Sequence, residues 1–273
     1  MAKILSGTEI VGYIQERQAR QVRALRQASH IFPRLVIIKS TTASPVIDTY
    51  IRMKQRYAEE ILIETAVETL DEPDMSAAIE RLNADPSVHG IIVQLPLADS
   101  SLTDGIINLI APEKDVDGLG KDAHYDSATA TAINWLLSGY AIDLRDKVIT
   151  IVGNGRLVGA PLAHIWQQSN YNVTVVDDTT PDIAGILYRS DIIVTATGVP
   201  GLITTEMVQI GATVIDAGTA SENGVIVGDT DQTVRARDDL NMTPEKGGVG
   251  PLTIAALCDG VIQAATKVTA KAE

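Results

Sequence analysis

The chain has 273 residues, of which 22 are basic and 35 acidic, so its formal net charge is -13. That length corresponds to one large domain or two of modest size. A composition with 45% hydrophobic and 21% charged residues is that of a folded globular protein and excludes a wholly disordered one. The acidic balance argues against nucleic acid as a partner, because nucleic-acid-binding proteins normally present a basic face.

The sequence also limits the compartment and the kinds of site. Cys258 is the single cysteine, which excludes an internal disulfide and a multi-cysteine zinc site and fits a reducing cytoplasm. His30, His89, His124 and His164 show no metal-ligand spacing, so we expect no metal. The first residues, MAKILSGTEI, have no apolar core of signal-peptide length, and no run reaches the ~20 apolar residues of a membrane span. We therefore expect a soluble cytoplasmic protein with no membrane partner.

Helical and strand-like segments alternate in the first half. Gly7 to Ala28 has apolar residues at helical spacing and predicts an amphipathic helix. RLVIIK predicts a strand and IDTYIRMKQRYAEEIL a charged helix. A further helix is predicted near Met75 to Asn83, followed by the buried strand GIIVQLPL. This alternation is typical of βα units and predicts a mostly parallel sheet.

A second alternating set begins near Lys147. KVITIVG, NVTVV, SDIIVTATG and GATVIDAG each predict a strand, with a helix from Leu157 to Gln168 after the first. Leu252 to Lys271 predicts a final, alanine-rich helix. Because the sequence turns polar around Lys121 to Ala130, we place the boundary between two α/β domains there.

A glycine-rich loop lies in the second half. Ile149 to Gly159 reads ITIVGNGRLVG, an apolar strand followed by G-x-G-x-x-x-G and a helix. Glycines permit a tight turn and close approach to a pyrophosphate, and a helix N-terminus attracts anions. The next strand ends at Asp177 and Asp178, where an acid accepts hydrogen bonds from the ribose of NAD and repels the 2′-phosphate of NADP. The pattern predicts a dinucleotide site. The alternative is an ordinary glycine-rich turn followed by two solvated acids.

Polar residues in the first half form a second candidate site. Tyr50 and Lys54 are four apart on a predicted helix and share a face. Gln94 interrupts an apolar strand just before a proline, where its amide needs a partner or a ligand. Asp115 and Asp117 lie in the turn-like segment PEKDVDGL. Each feature also has an ordinary structural interpretation: surface packing, a hydrogen bond at a sheet end, and a simple turn.

Five segments together resemble a known family. YIRMK, GIIVQLPL, PEKDVDGL, the glycine loop and TPEKGGVGPLT occur in the order seen in methylenetetrahydrofolate dehydrogenase/cyclohydrolases, the bifunctional folate enzymes. The resemblance extends from about Leu35 to Thr253, and VQLPL, PxKDVDG and GGVGPxT are specific to that family. It implies an N-terminal α/β domain, residues 1–121 completed by a C-terminal helix at 252–273. It also implies a Rossmann-like dinucleotide-binding domain at 122–251, a cleft between the two, and a homodimer.

The resemblance further implies an activity and its residues. The family oxidises 5,10-methylenetetrahydrofolate to the 5,10-methenyl form with NAD or NADP, and then hydrolyses it to 10-formyltetrahydrofolate. Lys54 matches the catalytic lysine, and Gln94 matches the glutamine that works with it. Tyr50 matches the tyrosine that stacks near the aminobenzoyl ring of the folate, and Asp117 matches the acid that grips the pterin.

The remaining candidates lie in the second domain. Gly250 and Pro251 match the loop that lines the folate site. The candidate cofactor-binding residues are Gly153, Asn154, Gly155, Arg156, Val158, Gly159, Asp177, Asp178 and Thr219.

These residue types suit the chemistry. The reacting carbon lies between two nitrogens whose lone pairs expel hydride, so oxidation needs orientation more than an acid or base. Hydrolysis needs a proton to be managed, and a lysine whose pKa is lowered by burial can polarise water or shuttle the proton, with a glutamine amide orienting it. An aspartate suits the pterin because its carboxylate accepts paired N–H bonds.

The chain departs from the family on the cofactor side. GNG at 153–155 stands where the family has G-R-S, and Asp177 and Asp178 stand where it has a histidine–serine-like pair. Both changes remove phosphate-binding groups or add repulsive charge, and they predict a preference for NAD over NADP. Arg156, one place later, opposes that preference.

Other departures concern the folate side. SATA at 127–130 replaces P-x-T-P in the domain connection, Ile47 replaces a serine three residues before the tyrosine, and Lys246 replaces a proline. The lost prolines free the backbone, so a dehydrogenase without the cyclohydrolase step is one alternative. A non-catalytic folate- or nucleotide-binding protein is another. An amino-acid or shikimate dehydrogenase explains the glycine loop but not VQLPL or PEKDVDG.

Overall fold

The computed structural model describes residues 2–222 and 225–270, and the chain forms two compact units. The N-terminal unit comprises Gly12–Ala128 together with the chain from Ile254, and the central unit comprises Thr129–Thr253 together with the chain up to Val11. The first and last helices are each divided between the two units.

The N-terminal unit is a three-stranded parallel sheet with helices. Strand β1 (Arg34–Ser40) lies between β2 (Glu64–Leu70) and β3 (Gly90–Val93), and Val36 of β1 is in register with Ala66 and Ile91. Leu35 to Ile38 are all 0% exposed, because helices cover both faces of a parallel sheet. Its elements in chain order are α1 (Gly7–Ala28), β1 (Arg34–Ser40), α2 (Pro45–Glu60), β2 (Glu64–Leu70), α3 (Met75–Ala84), β3 (Gly90–Val93) and α4 (Thr103–Ile107), with 3₁₀ turns at Glu72–Asp74 and Ser100–Leu102.

Strand β3 is shorter than the predicted GIIVQLPL strand. It ends at Val93, and a cis Leu95–Pro96 peptide follows. Gln94 therefore lies immediately beyond the strand at its carboxyl end, rather than inside it. Helix α2 begins with Pro45 in its first turn, where the fixed φ of proline suits a helix start.

The central unit contains a five-stranded parallel sheet. The strands are ordered β10 (Asn241–Met242), β7 (Thr213–Asp216), β6 (Ile192–Thr195), β4 (Ile149–Val152) and β5 (Val173–Val176). Strands β5 and β6, which follow β4 in the chain, therefore lie on opposite sides of it. Its elements are α5 (Ala128–Gly139), β4 (Ile149–Val152), α6 (Gly159–Gln168), β5 (Val173–Val176), α7 (Ile183–Tyr188), β6 (Ile192–Thr195), β7 (Thr213–Asp216), β8 (Ala220–Glu222), β9 (Val225–Val227), α8 (Gln232–Arg235), β10 (Asn241–Met242) and α9 (Val249–Ala270), with a 3₁₀ turn at Thr205–Met207. Strands β8 and β9 form an antiparallel hairpin.

Helix α9 is long and apolar. Within the described part of the chain, Val249–Val268 is the one helical stretch that could cross a membrane by length and composition alone, but most of it is buried inside the fold. That is the pattern of a core helix. Asp259, Gln263 and Lys267 interrupt it, so it is not the unbroken run of apolar residues whose absence the sequence analysis noted.

Candidate active site

Lys54 and Gln94 meet in the N-terminal unit. Lys54 belongs to α2, and its Nζ donates a hydrogen bond to Oε1 of Gln94 at 2.7 Å. The Nε2 of Gln94 donates to the Leu95 carbonyl at 3.0 Å, and its backbone N–H donates to the Ile38 carbonyl of β1 at 2.8 Å. Since both ends of the side-chain amide are engaged, its oxygen is held toward the lysine.

Burial controls the charge at this position. It lowers the pKa of the Lys54 ammonium, against the smaller opposing influence of the Asp117 carboxylate and of Cys258. Burial also raises the pKa of Asp117, and the Lys54 ammonium opposes that rise. Each group is thus displaced toward its neutral form by desolvation and toward its charged form by the other. Protonation of one group therefore changes the proton affinity of the other.

The lysine of the PEKDVDGL segment has a structural position. The Nζ of Lys114 donates to the carbonyls of Leu82, Asn83 and Asp85 at 2.9, 2.9 and 2.6 Å. It therefore caps the C-terminal end of α3, where carbonyls lack partners and a positive charge is favourable.

The two aspartates of the same segment have different surroundings. Asp115 is 2% exposed, and its carboxylate accepts the backbone N–H groups of Gly118 at 3.1 Å and Gly120 at 2.7 Å. Gly118 needs a positive φ, 68°, which favours glycine. Asp115 therefore closes the turn, and of the two aspartates Asp117 is the one coupled to Lys54.

Tyr50 and Ile47 occupy the preceding turns of α2. Tyr50 is half-buried, and burial raises the pKa of its phenol, so the hydroxyl is neutral at physiological pH. Ile47 is 5% exposed. The position where the family has a serine therefore carries an apolar side chain buried in this unit.

Cys258 is a member of this cluster that the sequence did not predict. It lies on α9, is 0% exposed, and has its thiol pKa raised by burial to about 12, while Lys54 acts to lower it. The apolar spacing of the last helix marks Cys258 as a core position, but its proximity to Lys54 depends on how α9 packs within the N-terminal unit.

The glycine loop follows β4 in the central unit. Gly153 has a φ of 96°, and a Cβ on Gly159 would lie 1.8 Å from the Gly153 carbonyl oxygen. The turn itself thus requires both glycines. At Gly155, in contrast, a Cβ would meet no heavy atom of the described residues within 4 Å.

This loop leads into the start of α6. Val158 is the residue before the helix, so the first backbone N–H groups of α6 lie directly beyond the loop. The loop residues Asn154, Gly155 and Arg156 are exposed. The space at Gly155 and the helix start fit a phosphate group of a dinucleotide.

Asp177 and Asp178 follow β5, which is the neighbour of β4. Oδ1 of Asp177 accepts the amide and hydroxyl of Thr179 at 3.0 and 2.6 Å and the hydroxyl of Thr180 at 3.2 Å. These bonds, those from Thr179 above all, hold the pKa of Asp177 below its usual range. One acid is thus fixed and ionised in a turn, and Asp178 is exposed beside it.

The other predicted residues of the central unit lie in two places. Thr219 is exposed in the loop after β7, and a Cβ on Gly198, after β6, would lie 3.7 Å from the Thr219 carbonyl oxygen. These two loops are therefore neighbours at the carboxyl edge of the sheet. Gly250 and Pro251 form the first turn of α9.

Across residues 2–222 and 225–270, no group of three or more His, Cys, Asp or Glu side chains is arranged to hold a metal ion.

One unit has a parallel sheet whose carboxyl edge carries a glycine loop, and the other has a partly buried lysine–glutamine–aspartate cluster. Together these features define a two-domain α/β dinucleotide-dependent enzyme. The model of the tetrahydrofolate dehydrogenase/cyclohydrolase catalytic domain matches residues 5–117, and the model of the NAD(P)-binding domain of the same family matches residues 127–269. The chain belongs to this family.

Individual relatives agree over almost the whole length. The bifunctional protein FolD of Geobacillus thermodenitrificans (strain NG80-2) is 35% identical over 285 residues, covering 99% of each chain. The crystal structure of the bifunctional enzyme FolD, a methylenetetrahydrofolate dehydrogenase/cyclohydrolase from Campylobacter jejuni, superposes with a TM-score of 0.91 at 32% identity, covering 98% of this chain and 100% of that one. The Trypanosoma brucei FolD, solved with NADP and an inhibitor, has a TM-score of 0.91 at 28% identity and covers 98% of each chain. The family resemblance and the two-domain α/β fold predicted from the sequence are confirmed.

Proposed function

We propose that this chain oxidises 5,10-methylenetetrahydrofolate to 5,10-methenyltetrahydrofolate and then hydrolyses the product to 10-formyltetrahydrofolate. The observation that carries this proposal is the 2.7 Å contact between Lys54 and Gln94, with Asp117 electrostatically coupled to the lysine. A pure binding protein needs no partly buried lysine held by an amide, because desolvating an ammonium costs free energy without a gain in affinity.

The central unit would hold the dinucleotide. Gly155 and the first N–H groups of α6 would receive the phosphates, and the acids after β5 would face the adenosine end. The bound dinucleotide supplies the hydride acceptor. The chain's own contribution to oxidation is orientation, since the two folate nitrogens provide the electrons that release the hydride.

Hydrolysis relies on the cluster in the N-terminal unit. Water adds to the cationic carbon of the methenyl group and loses one proton, which leaves a hydroxyl on that carbon. One carbon–nitrogen bond then breaks as that nitrogen takes up a proton and the hydroxyl loses its own proton to become the formyl carbonyl, so one proton is released overall. Lys54, with its pKa lowered, holds or moves the proton at Nζ, and Gln94 fixes the direction of that nitrogen. Asp117 accepts N–H groups of the pterin, and Tyr50 offers a neutral ring to the aminobenzoyl group.

The two acids after β5 support a preference for NAD. The ionised Asp177 and the exposed Asp178 place negative charge where a 2′-phosphate would have to lie, and a ribose hydroxyl can donate to either carboxylate. Arg156 acts in the opposite direction. We also propose that the protein is cytoplasmic and that it forms a homodimer, as the family resemblance implies. Sedimentation equilibrium of the purified protein tests the dimer.

One assay tests the whole proposal. Purified protein is mixed with methylenetetrahydrofolate and either NAD or NADP, and methenyl absorbance and reduced cofactor are followed together. Reduced cofactor that rises without methenyl build-up supports both activities. Methenyl that accumulates in step with reduced cofactor leaves a dehydrogenase alone, and no turnover with either cofactor overturns the proposal.

A further inference from the structure

A buried carboxylate lies behind the loop that follows β6. Asp229, just after β9, is 0% exposed. Its Oδ2 accepts the hydroxyl of Thr195 at 2.6 Å, and the amide and hydroxyl of Thr197 at 2.7 and 2.9 Å. Its Oδ1 is buried without a hydrogen-bond partner among the described residues. Thr195 ends β6, whereas Thr197 lies in the loop beyond it.

A second carboxylate joins this one to the loop after β7. Oδ1 of Asp216 accepts the backbone N–H of Gly218 at 3.1 Å and that of Asp229 at 3.0 Å, and its Oδ2 pairs with Arg235 at 2.5 Å. A Cβ on Gly218 would lie 2.0 Å from Oδ1 of Asp229. The loop after β7 is therefore closed against the unpaired oxygen.

The two carboxylates hold both loops as one assembly. Asp229 fixes the loop after β6, Asp216 fixes the loop after β7, and the backbone of Asp229 connects the two. Burying a carboxylate oxygen without a donor costs free energy. Such costs are typically retained where they serve a functional site.

The position of the loops after β6 and β7 relates them to dinucleotide binding. On the proposed function, the phosphates lie at the loop after β4 and the adenosine lies toward β5. The other half of the dinucleotide must then extend to the opposite side of β4, over the carboxyl ends of β6 and β7.

We infer that Asp229 is a positioning residue for the nicotinamide half of the dinucleotide, acting through the Thr197 loop and the Gly218–Thr219 loop. This inference rests on the proposed function, because it assumes that a dinucleotide binds along this edge.

The test compares binding and two activities in Asp229→Asn. The asparagine side chain places its N–H groups either toward the Thr197 amide or toward Gly218. In both orientations the Thr197 loop loses the carboxylate that accepted its hydrogen bonds. Loss of hydrogen bonds to a charged group predicts a dissociation constant for NADH that rises about tenfold or more in a fluorescence titration. The dehydrogenase kcat falls as well. Hydrolysis of added methenyltetrahydrofolate, which needs no dinucleotide, stays unchanged.

Two threonine variants separate positioning from stability. Thr197→Val and Thr195→Val each remove one hydroxyl that donates to the same oxygen, the first from the loop and the second from the strand. We expect Thr197→Val to weaken NADH binding, and Thr195→Val to lower the melting temperature with NADH affinity retained. This pair decides the matter even if Asp229→Asn does not fold.

Three results would overturn the inference. They are unchanged NADH affinity in both Asp229→Asn and Thr197→Val, equal weakening in the two threonine variants, and parallel loss of hydrolysis and oxidation in Asp229→Asn. If the unaltered chain binds NADH but turns over no folate, the proposed function fails, and the NADH titrations still test the role of Asp229.

Discussion

The Nζ of Lys54 and the Oε1 of Gln94 lie 2.7 Å apart, and this hydrogen bond connects the middle of α2 to the carboxyl end of β3. The donor is a group whose charge burial disfavours, and the acceptor is anchored by its own backbone. The contact therefore presents one lysine nitrogen in a fixed direction.

Lys54→Met is expected to lower hydrolysis of methenyltetrahydrofolate by about 10²–10⁴-fold, since it removes the group that handles the proton. Folate binding should remain measurable by calorimetry. Arg52→Met, on the exposed side of the same helix, is the matched control and should hydrolyse at the normal rate. Equal hydrolysis in the Lys54 variant would remove the role assigned to this residue.

Asp117→Asn is expected to lower the pKa of Lys54 further. The Asp117 carboxylate favours the ammonium form, so its neutralisation leaves desolvation less opposed. An NMR titration of the Lys54 side chain measures the change. The side-chain signals of exposed Lys3 should be the same in the variant and in the unaltered chain. A higher Lys54 pKa in the variant would contradict the coupling.

Tyr57→Phe is expected to lower the free energy of unfolding by about 1–2 kcal/mol. The Tyr57 hydroxyl donates to Oε1 of Gln18 at 2.8 Å, and Gln18 is 0% exposed, so the variant leaves a buried acceptor unpaired. Urea denaturation measures the loss. Tyr13→Phe, at a side chain 80% exposed, should change nothing, and equal stability of the two variants would show that the buried bond has no net value.

Gly155→Ala is expected to weaken dinucleotide binding without harming the fold. A methyl group there meets no described atom within 4 Å, so melting should be unaffected, whereas a bound phosphate would be displaced. Titration with NADH measures affinity. Gly12→Ala, in α1 and equally open, is the control and should raise stability by about 0.5–1 kcal/mol. Unchanged affinity in Gly155→Ala would place the phosphates elsewhere.

Asp178→Ser is expected to shift the ratio of kcat/KM for NAD and NADP toward NADP by about tenfold or more, because a negative charge near the 2′-phosphate is removed. Asp177 is left in place because it holds its turn. Asp238→Ser, exposed in the same unit, should leave the ratio as it is. If the ratio of kcat/KM for NAD and NADP is unchanged in Asp178→Ser, Asp178 does not discriminate between the two cofactors, and of the two acids only Asp177 can do so.

The sequence was sufficient for features set by local pattern. Alternating βα segments predict the parallel sheets, and helix α1 lies at Gly7–Ala28 as predicted. Strand β2 was missed because ETAVETL places polar residues along a partly exposed edge strand, which lacks a continuous apolar run.

The candidate site was less accessible to such reasoning. The motifs named Lys54, Gln94 and Asp117, but the pattern alone placed Asp115 and Asp117 in one turn-like segment. The structure separates their surroundings, because Asp115 closes the turn and Asp117 is electrostatically coupled to Lys54. Cys258 lies 204 positions after Lys54 in the chain, and only tertiary packing brings α9 beside α2. The networks of Asp216 and Asp229 likewise depend on long-range hydrogen bonds that carry no local signal.

The buried thiol beside Lys54 also gives this protein an internal reporter. Cys258 is the only cysteine in the chain, and its pKa of about 12 keeps it in the unreactive thiol form at neutral pH. A thiol reagent can therefore react only when the packing around Cys258 opens or the N-terminal unit unfolds. The labelling rate of the natural sequence, with no engineered probe, measures how often this part of the N-terminal unit opens to solvent.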